Sequence, residues 1–318
     1  MASIVLQEID RVEILTLQDN YIDITATDNG EIISRARNLL RGTVGKSVRA
    51  EHGFSAIVKT TRDGKTRTML FDFGISEDGA AHNARVLDVD MQEIEVMALS
   101  HGHYDHFGGL ESLVKMIGKK EIKLVVHPYV FKYPRYIKIS DDLKADIPEF
   151  TRERVEKAGV KLVETKRPYS LLDGNVLFLG EIERKTAFEK GMPNAYFMEN
   201  GIEKRDPIED DTSIVMNLRG KGLVVLSGCA HSGIINSVNY AKSITKINKV
   251  HVIMGGFHLG GPLFEPIIGQ TVEELKKINP VFIVPCHCTG RKASVHIENQ
   301  MPDQFILNMS GTRLTFDA

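Results

Sequence analysis

The sequence predicts an α/β protein, on two observations. Short runs of β-branched, aliphatic and aromatic residues recur along the whole chain, as strands do. In the C-terminal half they alternate with segments whose apolar residues fall at helical spacing, which packs helices on a sheet. In order, VEILTL (12–17), FSAIVKT (54–60) and TMLFDF (68–73) read as strands, followed by EVMALS (95–100). GLESLVKMIG (109–118) spaces Leu110, Leu113, Val114 and Ile117 as one helical face. IKLVVH (122–127) is a strand, and PEFTRERVEKAG (148–159) a charged helix stopped at Gly159. VLFLG (176–180), SIVMNL (213–218) and GLVVLSG (222–228) return to strand. SGIINSVNYAKSITKI (232–247) is helical, then VHVIMGG (250–256) strand, TVEELKKI (271–278) helix and VFIVP (281–285) strand.

The 318 residues suffice for one large domain, and no low-complexity linker or short repeat divides them, so residues 1–318 read as one unit. Two irregular stretches interrupt it, 133–147 and 186–211. Both mix aromatics, charges and turn residues, as surface loops or lids over a pocket do. A hydrophobic fraction of 42% permits a sizeable core, and a net charge of −2 gives no basic field for nucleic acid or an anionic membrane. No apolar run is long enough to span a bilayer, and the first residues lack a signal-peptide pattern. Three cysteines do not make a disulfide framework, so a reducing, cytoplasmic setting is expected. The expected partner is a small-molecule substrate; the sequence carries no signal for oligomeric state.

The stretch SHGHYDHFGGL (100–110) crowds His101, His103, Asp105 and His106 between a strand and a helix. Imidazole and carboxylate bind zinc, iron and manganese. One metal cannot easily take four side chains from so short a segment, whereas two adjacent metals can take a pair each. Gly108 and Gly109 would let the backbone turn into the helix.

His-Gly-His-Tyr-Asp-His resembles the His-x-His-x-Asp-His signature of the metallo-β-lactamase-fold superfamily, and the resemblance covers most of the chain. It implies a four-layer αββα sandwich. It also implies that His101 and His103 bind a first metal, and Asp105 and His106 a second. Asp72, in LFDFG, matches an aspartate that supports the site in that family. His231 is the expected third histidine of the first metal, and His287 the last ligand of the second. Many relatives carry Gly-Asp where this chain has Gly228-Cys229. Cys229 is therefore a soft thiolate ligand or a small packed residue, with packing favoured. Asp210 and Asp211, near where the family often has a further histidine, supply a ligand or simply a turn before SIVMNL, with the turn favoured. His258 is a ligand or a substrate contact. His52, before a strand, is a candidate support for the site, and Cys286 and Cys288 are expected to pack beside it. EHGFS, SGCAH, GGFHL and HCTG together resemble the subgroup of dihydropterin–ribofuranosylaminobenzene 5′-phosphate synthases.

The resemblance implies a metal-dependent hydrolase holding two divalent transition metals, zinc first, with manganese and iron also suited to these donors. Two metals would activate water, with Asp105 as the catalytic carboxylate. The alternatives are the pterin synthase, a condensing transferase, and a non-hydrolytic metal-binding or diiron redox protein. Finally, Thr289, Gly290 and Arg291 stand at a helix start just after His287, where free N–H groups would favour a substrate anion.

Overall fold

The computed structural model describes residues 4–36, 39–40, 43–140 and 142–318. Two mixed sheets face each other with helices outside, the four layers expected. The first sheet runs Lys161–Glu164, Lys123–Val126, Ile94–Ala98, Lys65–Phe71, Ser55–Arg62, Arg11–Gln18, Arg313–Asp317 and Ile33–Ser34. The second runs Tyr169–Leu171, Val176–Phe178, Ser213–Leu218, Gly222–Ser227, Val250–Gly256 and Phe282–Cys286, with Glu8–Ile9 paired to Ser213–Leu218.

Alternation along the strands explains the layering, because successive side chains leave opposite faces of a sheet. Met69 and Phe71 point into the core between the sheets, where Val224, Leu226, Val252 and Met254 meet them from the other side. Leu70, Met97 and Leu124 point outward, against Leu110, Leu113, Val114 and Ile117 of the helix Leu110–Ile117. On the opposite outer face, Leu223, Val225 and Ile253 pack against the helices Ile234–Thr245, Ile268–Ile278 and Arg291–Gln300. The helix expected over 148–159 is shorter, Arg152–Lys157. The Thr151 hydroxyl accepts from Arg154 N at 3.0 Å and starts the helix there.

The two irregular stretches are not loops. Arg135–Lys138 and Lys144–Ile147 from the first pair with Ala195–Glu199 and Ile202–Arg205 from the second in a four-stranded antiparallel sheet. Position 141 of the first stretch lies outside the described residues. The strands were hidden because charged residues interrupt them and Ile202–Arg205 is exposed throughout, which masks hydrophobic alternation.

The topology also places the site. Lys65–Phe71 and Ile94–Ala98 run parallel in one sheet, and Gly222–Ser227, Val250–Gly256 and Phe282–Cys286 run parallel in the other. Their carboxyl ends release Asp72, the histidine cluster, Cys229, His258 and His287 respectively. Ligand sites in open α/β sheets lie beyond such strand ends. Among the described residues no helix is long and apolar enough to cross a membrane.

Candidate metal centre

Three overlapping groups of donor atoms form at this end of the sandwich: Asp105, His106, Cys229 and His287; His101, Cys229 and His231; His101, His103 and Asp105. Within each group the donor atoms lie within 4.8 Å of one another. All six residues expected as metal ligands are therefore together. Cys229, for which packing was favoured, is a member of two groups, with Sγ 3.1 Å from His106 Nε2. It is also buried.

Hydrogen bonds set the tautomers. Asp72 is fully buried; its Oδ1 accepts from Ser100 N at 2.7 Å and its Oδ2 from the Ser100 hydroxyl at 2.7 Å. The same carboxylate lies 2.6 Å from His106 Nδ1, which must donate, so that His106 Nε2 carries the lone pair and faces Cys229 Sγ at 3.1 Å. Ser100 has spent its only proton on Asp72. His101 Nδ1, 3.0 Å away, therefore donates to Ser100 Oγ, and His101 Nε2 is left without a partner. Asn20 Nδ2 donates to the His287 carbonyl at 3.1 Å, so its Oδ1 accepts from His287 Nδ1 at 3.2 Å. His287 Nε2 then faces Asp105 Oδ2 at 3.1 Å. The same reasoning puts the His52 proton on Nε2, since its Nδ1 accepts from Asn20 at 3.0 Å; that Nε2 is 3.6 Å from Asp105.

The free nitrogens test whether metals fit. His101 Nε2, His103 Nε2 and both ring nitrogens of His231 are buried without a hydrogen-bond partner. Buried polar atoms are rarely left so, and imidazole lone pairs converging on a thiol and a carboxylate are a transition-metal donor set. Burial pushes His103 down to about 4, aided by Arg135, and takes His101 and His231 well below their ordinary range, with neighbouring histidines adding to the effect. They stand as neutral ligands. Burial works against the charge on Asp105, but His106, His287 and His103 hold its carboxyl far below the usual carboxylate range. Burial raises the Cys229 thiol, with Cys288 adding to it.

Supporting residues come from distant segments. Asp19 Oδ1 accepts from His287 N at 2.8 Å and Asp19 Oδ2 from Asn308 Nδ2 at 2.7 Å, which holds His287 at φ 50. Asp210 accepts from Gly102 N at 2.8 Å and from the buried Arg135, which also binds Asp206 at 2.6 Å. Asp211 accepts from Ser232 N at 2.8 Å. The pair read as a turn, Asp210 and Asp211, thus anchors two of the ligand-bearing loops. Glu189 receives Ile235 N and Asn236 N, each at 2.9 Å, at the start of the helix after His231. Asp19, Asn20, Ser100, Arg135 and Asp206 were not found from sequence. A strand ending in Asp-Asn was the one signal present for the first two.

Three expectations need correction. Thr289 is fully buried, and its hydroxyl accepts from Phe257 N at 3.0 Å and donates to the Cys286 carbonyl at 2.7 Å. That hydroxyl is not available to an anion, and neither Gly290 nor the exposed Arg291 lines the cleft over the cluster. Gly108 has ordinary helical backbone angles (φ −56, ψ −39); glycine is required because a Cβ there would strike the Ile75 carbonyl. Cys286 belongs to the core between the sheets, whereas Cys288 does border the cleft.

The cleft has a volume of about 380 Å³. His103, Asp105, Cys229 and His231 form its floor, His52 and His258 flank it, and Ile137, Asp146 and Ile147 of the small sheet roof it. A larger groove, about 830 Å³, lies between the helices Leu110–Ile117 and Arg152–Lys157 and contains none of the clustered donors.

This fold with this donor set defines a class, and residues 50–242 match the family model of the metallo-β-lactamase superfamily. The chain belongs to that superfamily. It is 34% identical over 259 residues to a 7,8-dihydropterin-6-methyl-4-(β-D-ribofuranosyl)-aminobenzene-5′-phosphate synthase of Methanocaldococcus jannaschii, spanning 80% of this chain and 85% of the relative. It is 31% identical over 261 residues to an uncharacterized protein of the same organism, spanning 80% and 90%. Among solved structures it resembles a metal-dependent hydrolase of the β-lactamase superfamily, with TM-score 0.73, 23% identity and coverage of 96% of this chain and 100% of that one. The last likeness is one of fold.

Proposed function

We propose that this enzyme is a metal-dependent hydrolase acting on a small phosphorylated or ester-type substrate. The observation that carries the reading is the sharing of donors between groups: Asp105 and Cys229 each belong to two. His101, His103 and His231 would hold one metal and Asp105, His106 and His287 the other, with Cys229 between them. Zinc suits the set, and manganese or iron also fits it. Two such metals supply a water of lowered pKa and polarise an ester or phosphoryl oxygen. The protein's own contribution is to orient. Asp72 and Ser100 aim His106 and His101, and Asp19 with Asn20 aims His287. The Asp105 carboxylate faces the cleft and is placed to accept a proton from an attacking water. His52 Nε2 stands 3.6 Å from that carboxylate. The small sheet acts as a roof that limits access of bulk water.

A second reading, a condensing transferase, is favoured by the 34% identity to the synthase. The same centre would then neutralise a phosphate-bearing reactant without water attack. Turnover in ¹⁸O-labelled water separates the two. Label at the cleaved bond of the product is expected; a product formed without solvent oxygen overturns hydrolysis in favour of condensation.

A further inference from the structure

A second cavity, about 300 Å³, adjoins the cleft and shares His231 and His258 with it. Its character differs from that of the cleft. Phe257, Leu263, Phe264 and Ile267 give it apolar walls, and the basic side chains in its lining are Lys190 and Arg205. Among the described residues neither of these two has a carboxylate within 4 Å. Arg205 reaches only the Met192 carbonyl, at 3.5 Å. Elsewhere exposed cations are commonly paired, as Arg11 is with Asp317 and Lys157 with Glu153. The acid in the cavity wall, Glu189, is buried and turned into the start of the helix Ile234–Thr245. The acid in the roof of the first cleft, Asp146, is exposed.

His258 stands where the two cavities meet. Its backbone is left-handed, at φ 47, an uncommon conformation for a non-glycine residue and one that tends to occur at functional sites. Its ring lies 4.2 Å from that of His231 and 4.4 Å from that of Phe264, and its Nδ1 is buried without a partner. It thus joins the donor cluster to the apolar wall.

We propose that this second cavity is a substrate subsite that takes a ring bearing an anionic group, the ring against Phe257 and Phe264 and the anion at Lys190 and Arg205. The substrate is then a two-part molecule, or a pair of reactants, whose reacting bond lies near His231. The proposal rests on the metal-centre reading for the location of the chemistry, but the subsite is built from residues outside the donor groups. Apolar walls with a few placed polar groups are the usual composition of small-molecule sites. Two free cations at the rim favour an anion by charge complementarity.

Benzenesulfonate supplies a ring and an anion but is a poor metal ligand, and it can be titrated calorimetrically into the metal-loaded protein. Binding is expected, and inorganic phosphate should compete with it only weakly, since phosphate meets the cations but gains nothing from the apolar walls. Methanesulfonate, which lacks the ring, should bind more weakly. Lys190→Ala combined with Arg205→Ala should weaken benzenesulfonate about tenfold, as loss of charge-assisted contacts would. Both residues are exposed, so folding is not at stake. No binding to the wild type, equal affinity in the double variant, or methanesulfonate bound as tightly as benzenesulfonate overturns the subsite. Repeating the titration on metal-depleted protein separates the two proposals. Retained affinity there supports the subsite whatever the labelled-water result, and affinity lost with the metals overturns it.

Discussion

The floor of the cleft buries His101, His103, His106, His231 and His287. Its roof, the antiparallel sheet of Arg135–Lys138, Lys144–Ile147, Ala195–Glu199 and Ile202–Arg205, adds ion pairs near its surface to its backbone ladders. Glu203 there takes Lys144 at 3.2 Å, along with Lys138 and the Tyr136 hydroxyl. The floor keeps polar nitrogens buried and unpaired, which is costly unless a ligand satisfies them. The ion pairs of the roof, such as those of Glu203, stand toward water, where each contributes little. Arg135 is where the two regimes touch. It belongs to the roof, yet it is buried and ties Asp206 and Asp210 to the Gly102 backbone between His101 and His103. The difference teaches that the floor is specialised for binding at the expense of local stability, and that a buried ion network ties the roof to it.

The largest effect should come from the floor. Asp105→Asn keeps an oxygen donor but removes the charge, and activity should fall by about a thousandfold, within the range for loss of a general base. Far-UV circular dichroism should stay unchanged. Near-normal turnover would remove Asp105 from the chemistry. His101→Ala and His287→Ala should each deplete metal, measured by elemental analysis, and full occupancy in both would break the floor assignment.

Cys229→Ser sharpens the same comparison. If the thiol lies between two metals, the variant should retain less metal after dialysis and shift the absorption of cobalt-substituted protein. Unchanged metal content would return Cys229 to a packing role.

At the junction, Arg135→Met should cost about 3–5 kcal/mol, because it strands two buried carboxylates. Urea unfolding measures this, and a loss below 1 kcal/mol would mean that the roof is held by something else. The same network predicts a pH dependence. Burial opposes the charge on Asp210, but Arg135 lowers its carboxyl from 3.8 to about 2. A carboxylate depressed in the folded state contributes stability that is present above pH 3.8 and lost as pH falls toward 2. Metal-free wild type should therefore lose stability over that interval more steeply than metal-free Asp210→Asn, and parallel acid profiles would contradict the pairing.

The smallest effect is expected at the exposed end of the roof. Glu203→Gln should leave metal content and turnover as they were and move the melting temperature little, since water replaces its partners.

The sequence by itself determined the cluster 101–106, because its four donors sit in one loop and need only local geometry. It also determined the main strands and the helix Leu110–Ile117, because period-2 and helical spacing are local signals. The resemblance carried His231 and His287 further than spacing could. Only the tertiary structure decided which groups aim these donors. Asp19 holds His287 from 268 positions away, and Arg135 reaches Asp210 across 75. Thr289 shows the same limit in reverse: its sequence context suits an anion, but Phe257 N and the Cys286 carbonyl take its hydroxyl. Hydrogen-bond partners are set by what folding brings within about 3 Å, and chain order does not record that.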